Sequence, residues 1–212
     1  MQYSKTKLYA MLTSKKHING DAISFEKSKN NRNETIPEIN DESLIPAAVL
    51  VLLVNHPDGL TVLFTKRADN MTRHAGQISL PGGRIEANDP SPKYTALRET
   101  EEEIGLRREE IEIVCQLDEY AVGTGFLITP FVGFADPPLK LTPQYEEVAE
   151  IFEAPLSYLI NPNNYTWNKK TLKGESRRFL SLQWNNYYIW GATAGILHDL
   201  SIKIGHVSES LL

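Results

Sequence analysis

The chain has 212 residues, 41% of them hydrophobic and 23% charged, which suits one well-buried globular domain with a short extension. A formal net charge of -5 argues against polymeric DNA or RNA as a partner, since gripping their phosphates needs a basic face; a small anionic substrate stays open if a metal supplies the positive charge. With Cys115 as the single cysteine, an intrachain disulfide and a cysteine-rich zinc site are both excluded.

Residues 1 to about 20 are predicted to form a short amphipathic helix, followed by an almost wholly polar linker, "KSKNNRNETIPEINDES" (27–43). Residues 1–45 therefore read as an extension, and 46–212 as the globular body. "AAVLVLLV" (47–54) and "TVLFTK" (61–66) are strand candidates joined by a turn at Pro57-Asp58-Gly59. Ser91-Pro92 marks a helix start and Gly105 its end, giving a helix of about 13 residues. Further strands are predicted at 110–120, 128–134 and 146–152. Cys115 is in phase with Ile111, Ile113 and Leu117 and reads as a buried strand residue rather than a catalytic thiol. "FLSLQW" (179–184) and "YYIW" (187–190) form a hairpin pattern, and 191–200 a last helix. Tyr165 and Trp167 are read as core aromatics, with stacking on a base or lining a ligand path as the alternative, and Tyr187, Tyr188 and Trp190 are read as core by the same argument. Strands mixed with a few helices predict an α/β (α+β) fold, a mixed sheet with helices on its faces. The longest apolar run, "IPAAVLVLLV", is about half of the ~20 residues a membrane crossing needs. The N-terminus lacks the apolar core of a signal peptide, and the cytoplasm is the expected compartment.

The helix ends in "RETEEEIG" (98–105), with four glutamates in five positions. Carboxylates are disfavoured there, where the helix dipole is already negative. Glu99, Glu102 and Glu103 fall at i, i+3 and i+4 and share a face, so they repel one another. A hard divalent ion such as Mg²⁺ would neutralise them and could link them to substrate phosphates; a solvated acidic face is the plainer alternative. The preceding "SLPGGRIEANDPSP" (79–92) favours the metal, because Gly82 and Gly83 let backbone amides come close to a phosphate. Glu101 points away from the other three and is expected to be solvated.

From Gly83 to Leu106 the chain resembles the Nudix box: Gly83, Asp89, Arg98, Glu99, Glu102, Glu103, Gly105 and Leu106 occupy its positions. Asp89 stands where most members have glutamate, the spacer to Arg98 is one residue longer, and Thr100 fills a usually aliphatic position. The first two departures are typical of the coenzyme A pyrophosphatase branch. "LFTKRADNMTRHAGQISLPGG" (63–83) resembles the pattern that branch carries upstream of the box, although Thr72 and Leu80 depart from it. "GTGFLITPFVGF" (123–134), "EEVAEIFEAPLSYL" (146–159) and "IWGATAGIL" (189–197) extend the resemblance over about 46–200.

The resemblance implies a Nudix-type α/β/α sandwich and metal-dependent hydrolysis of a nucleoside diphosphate derivative. For coenzyme A the products would be 3′,5′-ADP and 4′-phosphopantetheine. It implies Mg²⁺ or Mn²⁺ held by Glu99, Glu103, Glu102 and the carbonyl of Gly83, with Arg98 orienting a box carboxylate. The general base is either in the box, where Glu102 is the candidate, or on a later loop at Glu147, with Glu146 and Glu150 competing. Arg67, Arg73, His74, Gly82 and Gly83 are the candidates for binding substrate phosphates. The resemblance is also compatible with a homodimer. Two rivals remain: a Nudix hydrolase of ADP-ribose, NADH or a nucleoside triphosphate, and a non-catalytic nucleotide-binding regulator. The latter would be expected to lose its metal ligands, whereas all three box glutamates are present.

Overall fold

The apolar run that begins at Ile45 becomes the longest strand, β1 (Ile45–His56), and the sheet is built around it. The computed structural model describes residues 3–13, 44–71, 74–123, 125–172 and 175–205. Along β1, Val51 and Leu53 enter one buried cluster while Leu50, Leu52 and Val54 enter another. A strand covered on both faces reads as a continuous apolar run, which accounts for "AAVLVLLV". β2 (Gly59–Arg67) returns antiparallel through Pro57 and Asp58, with His56 opposite Gly59. β1 also pairs in parallel with β7 (Phe126–Ala135) and antiparallel with the short β4 (Gly82–Arg84).

The rest of the mixed sheet grows outward from these strands. β2 carries β3 (Ile78–Ser79) and β8 (Val148–Pro155), while β7 carries β5 (Glu112–Gln116) and β6 (Tyr120–Val122). Helix α2 (Pro92–Ile104) covers one face, where Ala96 and Ile104 pack with Ala48, Leu50, Leu52, Val54 and Leu63. The opposite face is covered by α1 (Lys5–Thr13), the short α3 (Leu156–Leu159) and α4 (Ala192–Lys203). A second sheet of β9 (Tyr165–Leu172), β10 (Glu175–Trp184) and β11 (Tyr187–Trp190) packs on that same side. The layering is the expected α/β/α sandwich. Helix α1 is docked on the body: Leu8 and Leu12 are buried, and Lys5 pairs with Glu112 at 3.2 Å and Asp136 at 3.1 Å. The predicted polar linker lies outside the described residues. No helix among the described residues is long and apolar enough to cross a membrane.

Four expectations need correction. The single strand predicted over 110–120 is a 3-10 turn (Arg108–Glu110) followed by β5 and β6. Within β5 the register slips, with Ile113 opposite Gly133 but Cys115 opposite Val132. Such a bulge switches which face later side chains take. Ile111 and Ile113 therefore join the α2-side core, while Leu117 and the partly buried Cys115 join the other. Strand β9 went unpredicted, because lysines and asparagine interrupt its pattern, and β10 runs longer than 179–184. Trp167 and Tyr188 are exposed at 42% and 46%, not core. Tyr165 and Tyr187 do pack against the core, Tyr187 stacked on Phe152 with ring centroids 3.6 Å apart.

Candidate active site

Helix α2 starts and stops where its sequence directs. Ser91 caps it, accepting a hydrogen bond from the Tyr94 amide at 3.2 Å, and Pro92 takes the first turn. Gly105 closes it at φ 72°, a left-handed conformation that glycine adopts without strain. Thr100 suits its aliphatic position because its hydroxyl bonds the Ala96 carbonyl at 2.6 Å within the helix. The last turn is tied to the segment before β8: the Gln144 amide donates to the Glu103 carbonyl at 2.9 Å, and the Thr142 amide to that of Ile104 at 2.8 Å. Carbonyls that a helix end leaves unpaired are satisfied this way.

The four glutamates of the run meet different fates. Glu103 is 5% exposed, facing β4, and its Oε2 accepts the Gly82 amide at 3.3 Å. Burial pushes its carboxyl up to about 8, Glu99 and Glu147 add to the rise, and the Gly82 amide and Arg67 oppose it. Glu99 lies against Gly83, where an added Cβ would overlap its carboxylate. Its pKa is also raised, chiefly by burial, against the pull of Arg98. Glu102 is 57% exposed at the side chain and is held by Arg98 at 2.8 Å. Glu101 does point away, but it is not simply solvated: Arg108 pairs with it at 2.5 Å.

Arg98 is the hub of this network. Its Nε and Nη2 both bond Asp89 at 3.0 Å, Nη2 also meets Glu99 at 3.0 Å and the Arg84 carbonyl at 3.3 Å, and Nη1 holds Glu102. Asp89 completes the clamp by accepting from the Glu86 amide and the Thr95 hydroxyl. The Arg98 fork holds the Asp89 carboxyl well below the usual carboxylate range, and Asp89 in turn raises Arg98.

Gly82 and Gly83 are strand residues of β4 rather than a loop. At Gly82 (φ 149°) a Cβ would collide with the Ala48 carbonyl of β1, so glycine is what allows β4 to lie flat on the sheet. Arg67, at the end of β2, has a buried Nε with no hydrogen-bond partner among the described residues, while Nη2 touches the Met71 sulfur at 3.0 Å. Glu147 is exposed in the segment before β8; its carbonyl accepts the Ala68 amide at 2.8 Å, and its charge reaches both Glu99 and Glu103. Glu146 is exposed on the same segment, and Glu150 is bonded by the Tyr187 hydroxyl. His74 is exposed, at φ 59°, and its Nδ1 contacts Gln77 at 2.8 Å. Arg73 lies outside the described residues. Arg67, Glu99, Glu103, Glu147 and the two glycines thus come together, with Glu102 at the rim. Two participants escaped sequence reasoning: the Gln144 and Thr142 amides, whose roles depend on tertiary contact and leave no side-chain signature.

The donors fit a hard divalent ion. Carboxylate oxygens and a backbone carbonyl are the oxygen ligands such ions take, and both carboxyls stay raised even with Arg98 on Glu99 and Arg67 acting on Glu103. Among the described residues no three His, Cys, Asp or Glu side chains stand together as a ready cage; Arg98 engages Glu102 and one oxygen of Glu99.

A Gly-Gly strand laid over a capped acidic helix, on a mixed sheet covered on both faces, defines a Nudix domain. The chain belongs to the Nudix family of hydrolases: residues 44–173 match the family described as the NUDIX domain. It is 37% identical over 172 residues to Nudix hydrolase NudL of Citrobacter koseri, covering 80% of this chain and 88% of that one. NudL of Escherichia coli K12 is 36% identical with the same coverage. Among solved structures, the C. elegans Ap4A hydrolase binary complex matches at TM-score 0.46 and 18% identity, over 52% of this chain and 80% of that one. Hydrolases of this family act on small nucleotide derivatives and generally use divalent metals such as Mg²⁺.

Proposed function

We propose that this hydrolase cleaves the diphosphate of coenzyme A or its derivatives to 3′,5′-ADP and 4′-phosphopantetheine, or the acylated form of the latter. The observation that carries the reaction class is the meeting of the buried Glu103 and the half-buried Glu99 at the Gly82–Gly83 strand. The substrate choice rests on the segment 63–83, whose pattern resembles the coenzyme A branch.

Glu99 and Glu103, with Glu102 and the Gly83 carbonyl, are the residues that would hold Mg²⁺ or Mn²⁺. When bound, the ion supplies charge neutralisation at the diphosphate and a water of lowered pKa. Arg98, fixed by Asp89, holds Glu99 and Glu102 in place. Arg67 offers its unpartnered Nε to a phosphate oxygen, and Arg73 and His74 are further phosphate-binding candidates. Glu147 receives the proton of the attacking water on its carboxylate, and Glu102 is the alternative base. The proposed domain spans 46–212, and the cytoplasm is the proposed compartment.

The test is hydrolysis of coenzyme A in ¹⁸O water with Mg²⁺, beside acyl-coenzyme A, NADH and ADP-ribose. The expected result is faster turnover of coenzyme A or its acyl form, with ¹⁸O in one product phosphate. Faster turnover of ADP-ribose would overturn the substrate and leave the chemistry standing.

A further inference from the structure

A cleft of about 500 Å³ lies beside β8, lined by Leu141, Pro143, Ile151, Phe152 and Glu153. That volume is in the range of small-molecule sites. Its position relative to the candidate active site follows from register. Val148 of β8 pairs with Arg67, Ile151 with Thr65, and Glu153 with Leu63. Leu63 belongs to the α2-side core, as does Ile151 packed against it, so the cleft opens on the sheet face that carries Glu99 and Glu103. The segment supplying Leu141 and Pro143 also supplies Thr142 and Gln144, bonded to the last turn of α2, and then Glu147. The same segment therefore joins the lining of the cleft to the last turn of α2 and to Glu147.

The cleft has an apolar lip and a polar end. Leu141, Pro143 and Ile151 present aliphatic carbon. At Glu153, His56 Nε2 (2.7 Å) and the Thr61 hydroxyl both contact Oε2. Among the described residues no hydrogen bond reaches Oε1, which stays free to accept one. We infer that this cleft receives the arm attached to the far phosphate of the substrate, a neutral, flexible chain of aliphatic carbons and amides, with Glu153 accepting from an amide N–H or hydroxyl near its end. This rests on the coenzyme A reading given above. Reach is consistent: Val148 to Glu153 spans five steps of β8, about 17 Å at ~3.3 Å each, and a pantetheine arm of roughly thirteen bonds extends about 16 Å.

Leu141→Trp, which plugs the cleft, tests the idea in the full chain with Mg²⁺. Its KM for coenzyme A should rise about tenfold or more, while kcat falls less and inhibition by 3′,5′-ADP, which lacks the arm, stays within about twofold. Pro143→Trp, two residues along the same segment, should behave alike, and serves if thermal unfolding shows that the first variant is not folded. Separately, pantetheine titrated into ¹⁵N-labelled wild-type protein should shift the amides of Leu141, Ile151 and Glu153. An unchanged KM in a folded variant, with wild-type turnover of coenzyme A intact, overturns the cleft and spares the substrate reading. If wild type fails to cleave coenzyme A, that reading falls; the titration then decides the cleft, which shifted amides support and unmoved amides overturn.

Discussion

Helices α2 and α4 cover opposite faces of the same sheet, and each brings acid against it by different means. α4 packs chiefly through apolar side chains, with Ala194, Ile196, Leu197 and Leu200 buried beside Thr193, His198 and Ser201, and its Ser201 hydroxyl bonds the His198 carbonyl of its own helix. Its one carboxyl, Asp199, is raised by burial and, with Asp118 adding to the rise, is opposed by His198 at 4.0 Å. α2 buries less and organises more: Asp89, Arg98, Glu99 and Glu102 are cross-linked outside the core, and only Glu103 is sunk against β4. Apolar packing makes α4 a strut. The arranged charges of α2 cost stability and gain chemistry in return.

Substitutions should divide along that line. The largest effect is expected for Glu103→Gln, which keeps shape and removes charge: Mg²⁺-dependent turnover should drop about 10³-fold, while the metal-free variant melts higher than wild type at pH 7. Activity with Mg²⁺ and thermal unfolding check the two halves, and an active variant would erase the distinction between the helices. The same group predicts a pH dependence. Its folded pKa of about 8 lies above the ordinary 4.5, so between those values the folded state binds more protons than the unfolded chain. Metal-free stability should accordingly fall as pH rises through that window, and saturating Mg²⁺ should flatten the fall. Unfolding midpoints at pH 5 and 8, with and without Mg²⁺, read this out.

Next comes Gly83→Ala, whose methyl would occupy the place of the Glu99 carboxylate. Turnover should fall roughly 10²-fold, since ligand placement within about an ångström is what the reaction needs. On the other helix, Gly195→Ala drives a methyl into the Tyr120 hydroxyl; stability should fall by about 1–3 kcal/mol with KM unchanged, as overpacking does. Urea titration and steady-state kinetics separate these two glycines. The smallest effect belongs to Glu101→Gln, which loses the Arg108 pair on a partly exposed surface. It should cost about 0.5 kcal/mol and leave kcat untouched.

Much of α2 was legible because its signals are local. Ser91, Pro92 and Gly105 act on their own backbone, so the helix bounds could be read from adjacent residues. The strand identity of Gly82 and Gly83 was not, since it depends on β1 passing alongside, 33 and 35 residues earlier in the chain. Arg108 as partner of Glu101 was hidden for the same reason, lying beyond the helix end across a turn. The bulge in β5 shows the limit of periodicity: one extra residue moved Cys115 and Leu117 to a different core from Ile111 and Ile113. An alternation rule has no means of detecting an insertion that a neighbouring strand absorbs.

The two amides that fasten Gln144 and Thr142 to the end of α2 make that helix end and the Glu147 segment a single mechanical piece. A pull on the Glu103 carboxylate is thereby passed to the backbone holding Glu147, without any side chain between them. Hydrogen exchange should reveal the coupling: the amides of 142 and 144 should slow in step with the final turn of the helix when an ion is added, as members of one opening unit.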